Sequence, residues 1–440
     1  MVMENFVNEL FDIALKNGCE AAEAYYAEGD AFEAGVLDGE LDTYSVSHTY
    51  ALNLRVNYKG KTGYACTEKI CDAQQLVRHA IDNAQAIESD DIQPMQGKCS
   101  YKSVSKERSA ILDMSESERI ALAFDMERRV NSKNARVMMC NVACEESCTS
   151  IRNTLGLCAK VCDAEALIYT NAVVTEGEES KDGFAFRKGN EALDINGCAD
   201  EAVKEAAEAI GAEPVAGGEY RAVFRNDAAA SLLESFFQMF SADAAQKGLS
   251  LLAGRENEKI GSDMVTIIDD PFHEYAPRAF DAQGVPSVTT TVIENGLLKT
   301  LLYDLKTAFK AGKESTSNAG RGSVFAPTSI MPSNFYMLPG EKSRDELIEL
   351  LGNGLYITEI SGTHAGVNTV SGEFSLLAKG HLVENGCIIR PVDKITVSGT
   401  FLGFLQSIEQ KGDDLKFSIP QSGNVGSPSL LVKSVLVAGK

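Results

Sequence analysis

Residues Ser361–Ser375 read SGTHAGVNTVSGEFS, and no other stretch of the chain restricts its fold so tightly. Gly362, Gly366 and Gly372 fall in this one segment beside His364, Asn368 and Glu373. Glycine is used where a backbone needs φ > 0 or where another backbone comes close, so the segment is a shaped loop feeding β-structure. Downstream, Leu382-Val383-Glu384-Asn385-Gly386 echoes Val292-Ile293-Glu294-Asn295-Gly296. Asn-Gly between apolar runs favours a tight type I′ hairpin, because both central residues tolerate φ > 0. Two similar hairpins in one sheet are expected.

The rest of the chain falls into three blocks. Phe6, Leu10, Ile13 and Ala14 recur at helical spacing, with Asn17-Gly18 as the stop. Met1–Lys16 therefore reads as an amphipathic helix rather than a signal peptide. Strands follow from about Ala22 to Cys66, punctuated by Gly29, Asp38-Gly39 and Lys59-Gly60. Leu76, Val77, Ala80, Ile81 and Ala84 mark a second helix, and Glu88–Lys106 reads as a linker. The second block opens on a helix over Ser115–Val130, where Ser115 and Glu118 have capping-box spacing. Strands run from about Arg136 to Phe186 around a turn at Asn153–Gly156, and a helix over about Cys198–Ile210 closes the block. Glu213–Glu219 is a second linker. The third block has a helix over Asp227–Gln246, then dense turn signals and a helix near Ser343–Leu351. The expected fold class is α+β. Helices on an antiparallel sheet occupy domains 1–90 and 107–212, and a β-rich, barrel-like domain with a few helices occupies 220–440.

Charge and composition exclude whole classes of function. The formal charge is −22, and residues 1–220 hold 39 acidic against 21 basic side chains. Such an excess repels phosphate backbones, so direct nucleic-acid binding is not expected. No apolar run approaches the roughly 18 residues of a membrane span. Eleven cysteines without secretory context point to free thiols and the cytoplasm.

Catalytic signatures are scarce. Cys140, Cys144, Cys148, Cys158 and Cys162 have metal-compatible spacing, but Cys140, Val142 and Cys144 alternate as a strand does, and cysteine packs well as a small apolar residue. His273-Glu274 opens like H-E-x-x-H, yet Pro277 stands where the second histidine belongs. The nucleophile elbow, the phosphate loop and the dinucleotide fingerprint are all missing. His364 and His381 could join Glu373 or Cys387 only if the fold brings them together.

From Tyr220 onward the chain resembles the TldD/PmbA family, described as modulators of DNA gyrase and as peptide-maturation proteins, and in particular its PmbA (TldE) branch. The resemblance rests on Ala222–Leu233, Asp269-Asp270-Pro271, Phe280-Asp281 with Gly284-Val285-Pro286, and Ile293–Leu297. It continues through Ser315-Thr316 with Asn318-Ala319, Gly366-Val367-Asn368 with Gly372-Glu373-Phe374-Ser375, Gly412–Leu415 and Ser427–Leu430. The first two blocks fit the family's layout more loosely. Gln283 departs from a usual acidic residue, and Ser317 from a usual glycine, which argues against a tight turn at 317.

The resemblance implies zinc peptidases with an H-E-x-x-x-H helix and a C-terminal cysteine ligand, acting on unfolded peptides together with a PmbA-type partner. Here the matching helix, Ser231–Gln246, has no histidine, and no cysteine follows Cys387. Partial ligand sets bind zinc poorly, so this chain is expected to be a non-catalytic subunit holding no cofactor, with zinc in a TldD-like partner. Gly362, His364, Gly366, Asn368, Gly372, Glu373, Asp281 and Gln283 are the expected peptide-groove or interface residues. Two rival readings stay open: an autonomous peptidase using His364, Glu373 and His381, and a homodimeric peptide-binding regulator.

Overall fold

Two long antiparallel meanders, each flanked by helices, build one sheet. In the computed structural model, which describes residues 2–88, 93–419 and 423–439, the first meander is β1 (Ala21–Leu37), β2 (Glu40–Tyr58) and β3 (Lys61–Thr67), between α1 (Val2–Lys16) and α2 (Ala73–Ala86). The second is β4 (Ala135–Asn153), β5 (Cys158–Glu176) and β6 (Glu179–Lys188), between α3 (Glu116–Asn131) and α4 (Ile195–Glu208). The strand order is β3-β2-β1-β4-β5-β6. Phe6, Leu10, Leu76 and Ala80 bury the face of Ala24, Leu52 and Leu54. Ala123, Met126, Cys198 and Ala202 do the same for Phe32, Val142 and Ile168. The predicted capping box forms at Ser115 and Glu118.

The two meanders are architectural copies. Gly63-Tyr64-Ala65 in β3 and Gly183-Phe184-Ala185 in β6 occupy equivalent places. A Cβ on Gly63 would lie 2.0 Å from the Ala80 carbonyl oxygen of α2, and one on Gly183 would lie 2.2 Å from that of Ala202 in α4. In both copies glycine lets the helix backbone lie directly on the strand.

This first compact unit runs to Ala207 and also takes in 279–287 and 304–329. The second holds 208–278, 288–303 and 330–440. Its core is a closed ring of five strands, β7 (Gly218–Phe224), β8 (Gly354–Ser361), β9 (Glu373–Glu384), β10 (Cys387–Thr400) and β11 (Leu430–Ala438). Strand β7 runs parallel to β8 and antiparallel to β11, and antiparallel pairs β11–β10, β10–β9 and β9–β8 complete the ring. Closure leaves no free edge in the ring, and the expected α+β architecture with a barrel-like C-terminal sheet is what forms. A second, six-stranded sheet in the same unit includes Ile267–Asp269, Thr290–Glu294 and Asn334–Met337.

Several local expectations need correction. The two Asn-Gly hairpins form as predicted, with φ of 48° and 78° at Asn295 and Gly296 and 51° and 75° at Asn385 and Gly386. They lie in different sheets, however, the first in the six-stranded sheet and the second joining β9 to β10. Gly29 is no turn but sits mid-strand in β1, where a Cβ would meet the Glu146 carbonyl oxygen at 3.1 Å. The 227–246 helix breaks into α5 (Asn226–Ser235), a 3₁₀ turn at Phe237–Phe240 and a short helix Ala242–Gln246 capped by Ser241. Phe236 stacks on Phe401 at 4.5 Å while Phe237 and Phe240 pack on Phe335, so the break serves aromatic packing.

Cys148 and Cys162 form a disulfide, against the expectation of free thiols, because the β4–β5 register sets them directly opposite. Within the expected linker Glu88–Lys106, residues 89–92 lie outside those described. The remainder is packed rather than loose: Tyr101 sits 4.9 Å from Phe280, and its hydroxyl donates to the Gly284 carbonyl at 2.9 Å.

Candidate functional site

The glycine-rich segment folds into a small hairpin against β9. Gly362 adopts φ 80° and starts a single helical turn, Thr363–Gly366. Gly366 then passes so close to β9 that a Cβ would lie 2.2 Å from the Ser375 carbonyl oxygen. Val367 and Asn368 pair with Phe374 and Glu373 as a two-residue strand. The Asn368 side-chain oxygen accepts from the amides of Val370 and Ser371, both at 3.0 Å, and its carbonyl accepts from Gly372, which turns the chain back. Gly372, at φ 75°, leaves room for Leu251. Phe374 is buried against Phe236 and Phe404 and anchors the hairpin to the core.

Around this hairpin lies an open cleft of about 710 Å³, lined in part by Gly366, Asn368, Glu373, Ser375, Ser398 and Gly399. Its walls are largely backbone and small polar side chains. In β9 exposed Glu373, Ser375 and Leu377 alternate with buried Phe374, Leu376 and Ala378, so one face of the strand is presented to solvent. His364 and Glu373 are exposed, and the Ser371 hydroxyl donates to Glu373 at 3.0 Å.

Asp281 and Gln283, expected at a groove or interface, are buried in the other compact unit. The Asp281 carboxylate accepts from the amides of Gln283, Val285 and Ala319 at 2.9, 3.0 and 3.1 Å. The Gln283 oxygen accepts from the Leu305 amide at 3.0 Å. Both side chains tie 279–287 to 304–329, which is a structural task. Ser317 is buried in the left-handed region at φ 58°, a conformation that favours the glycine usual there in the family it resembles.

The rival centre does not assemble. Glu373 and His381 lie eight residues apart on β9, a separation of about 26 Å along an extended strand. His381 instead stacks on Tyr356 across the β8–β9 pair. Among the described residues, no three His, Cys, Asp or Glu side chains are grouped so as to hold a metal ion.

The segment that should carry zinc ligands explains why. Were Glu234 the glutamate of an H-E-x-x-x-H pattern, Leu233 and Gln238 would stand at its two histidine places. Leu233 is buried and Gln238 exposed, on either side of the break at Phe236. Burial pushes the Glu234 carboxyl above its usual range, with Ser418 opposing. A leucine and an amide cannot replace two imidazoles, so these residues do not fit zinc.

Comparison with known proteins follows the same lines. Residues 22–84 match PmbA/TldA metallopeptidase domain 1, residues 109–210 its central domain and residues 217–439 its C-terminal domain. The chain belongs to the PmbA/TldD metallopeptidase family. A Methanothermobacter thermautotrophicus protein named a metalloprotease is 27% identical, over 91% of this chain and 92% of that one. A crystal structure from Thermotoga maritima, described as a candidate modulator of a DNA gyrase, is 32% identical with a TM-score of 0.90, covering 99% of this chain and all of that one. TldE from Thermococcus kodakarensis shares the fold at a TM-score of 0.91 and 22% identity, over 99% of this chain and 100% of its own. No described helix is long and apolar enough to cross a membrane.

Proposed function

We propose that this chain is a PmbA/TldE-type, non-catalytic subunit of a cytoplasmic peptidase system. It pairs with a TldD-like zinc metallopeptidase and helps hold an extended, unfolded peptide while the partner cuts it, as peptide maturation requires. The observation that carries the reading is the lack of any histidine in Ser231–Gln246, together with the lack of any cysteine after Cys387. Two sites would have to change at once to restore a ligand set.

The cleft beside Gly366–Ser375 supports the holding role. Extended peptides are bound chiefly through main-chain hydrogen bonds, which need accessible backbone more than particular side chains. The test is association: the chain is mixed with a TldD-type protein from the same source and analysed by size exclusion and a peptidase assay. Complex formation with altered cleavage of an unfolded peptide is expected. Two proteins that migrate independently, with unchanged cleavage, would overturn the proposal.

A further inference from the structure

Both meanders leave an outer edge partly uncovered. In each, the third strand covers only part of the second: β6 pairs Leu167–Glu176 of β5, and β3 pairs Leu52–Tyr58 of β2. Beside the uncovered part of β5, Lys106 bonds Glu165 at 2.5 Å and reaches Asp163 at 3.5 Å. Beside the uncovered part of β2, from Glu40 to Tyr50, no described strand pairs with the outer edge. That edge is about 35 Å long.

Natural sheets seldom leave such an edge bare, because its free N–H and C=O groups template another strand. Its side chains reinforce the point. Tyr44 and Val46 lie opposite Ala34 and Phe32, on the helix-facing side of the sheet, yet they are 50% and 53% exposed, with Leu41 at 42% and Tyr50 at 38%. On the other side are Thr43, Ser45, Ser47 and Thr49, with Glu40 and Asp42 at one end.

We propose that the Glu40–Tyr50 edge of β2 is a strand-addition site for an extended cationic peptide segment with apolar residues at alternate positions. Its apolar side chains would lie against Tyr44, Val46 and Tyr50, and its cationic ones against Glu40 and Asp42. The charge balance selects this occupant over a second copy. Pairing the edge with itself would bring together two surfaces from the half of the chain with 39 acidic and 21 basic residues. This site goes beyond the function proposed above, since it needs neither a zinc-bearing partner nor the barrel cleft.

The test is fluorescence anisotropy on the full chain alone, using a labelled ten-residue peptide of alternating valine and lysine and its valine–glutamate counterpart. The lysine peptide is expected to bind at least tenfold more tightly. Val46→Lys and the pair Glu40→Lys with Asp42→Lys, all at exposed positions, should each weaken it about tenfold without shifting the melting temperature. Equal binding of both peptides, or lysine-peptide binding that survives all these changes, would overturn the proposal. So would concentration-dependent self-association abolished by Val46→Lys, which would assign the edge to a second copy. Failure to bind a TldD-like protein would leave this result untouched, so the two readings fall separately.

Discussion

Gly366→Ala is the sharpest perturbation of the candidate cleft. The added Cβ would sit 2.2 Å from the Ser375 carbonyl oxygen and 3.0 Å from a Leu376 methyl. The Ser375 oxygen is backbone in β9 and cannot swing aside, so helix and strand must part by about 1 Å to reach normal contact. Overpacking of this kind costs about 1–3 kcal/mol. Alanine's helix advantage, about 1 kcal/mol in a helix interior, recovers little in a single four-residue turn. A net loss of about 1.4 kcal/mol raises the local opening constant roughly tenfold. Hydrogen exchange at the Gly372 amide, which donates to the Asn368 carbonyl at 2.8 Å, reads this directly. His364→Ala, two residues away and exposed, is the control and should leave exchange unchanged. Wild-type protection in Gly366→Ala would refute the claim that close backbone approach shapes this hairpin.

Three further outcomes are expected. Asp281→Ala leaves three inward-facing amides without their carboxylate and should cost about 3 kcal/mol or more in urea unfolding; a loss below about 1 kcal/mol would contradict the staple. Because burial raises the Glu234 carboxyl in the folded state, the folded chain holds that proton more tightly than the unfolded one. Its stability contribution is therefore present in acid and lost as pH rises above the unfolded carboxylate range. Glu234→Gln should melt higher than wild type at pH 7, with the gap closing toward pH 4, and a gap independent of pH would contradict this. Reduction, or the double change Cys148→Ser and Cys162→Ser, should lower stability by at most about 3 kcal/mol, the loop-closure value for about 15 residues. The hairpin register already holds the two strands together, so melts with and without reductant should differ by less than that full value.

The legible parts of the fold were those written in local pattern. The helices at the N-terminus, at 73–86, at 116–131 and at 195–208, the Asn-Gly turns and the Ser115 capping box depend on neighbours in sequence, and each stands close to where its spacing puts it. Long-range consequences were not legible. Nothing local says that 279–287 packs with the first compact unit, so Asp281 and Gln283 read as peptide-groove or interface residues, whereas both are buried. The Cys148–Cys162 pair depended on strand register, which the turn at Asn153–Gly156 sets but five similar cysteines obscured. The duplicated meander escaped notice because its copies share packing, seen at Gly63 and Gly183, far more than letters. In the candidate site the glycines were read correctly as backbone devices, whereas the separation of Glu373 from His381 needed the straight run of β9.

The central claim is that this chain contributes a peptide-holding surface and no zinc centre. The most direct measurement is zinc content by mass spectrometry together with cleavage of an unfolded peptide, on the purified chain alone and after mixing with a TldD-type protein. The account predicts no stoichiometric zinc and no cleavage from the chain alone, and chelator-sensitive cleavage in the complex that exceeds that of the TldD-type protein by itself. One equivalent of zinc bound to the chain alone, with peptide cleavage lost on chelation, would contradict it.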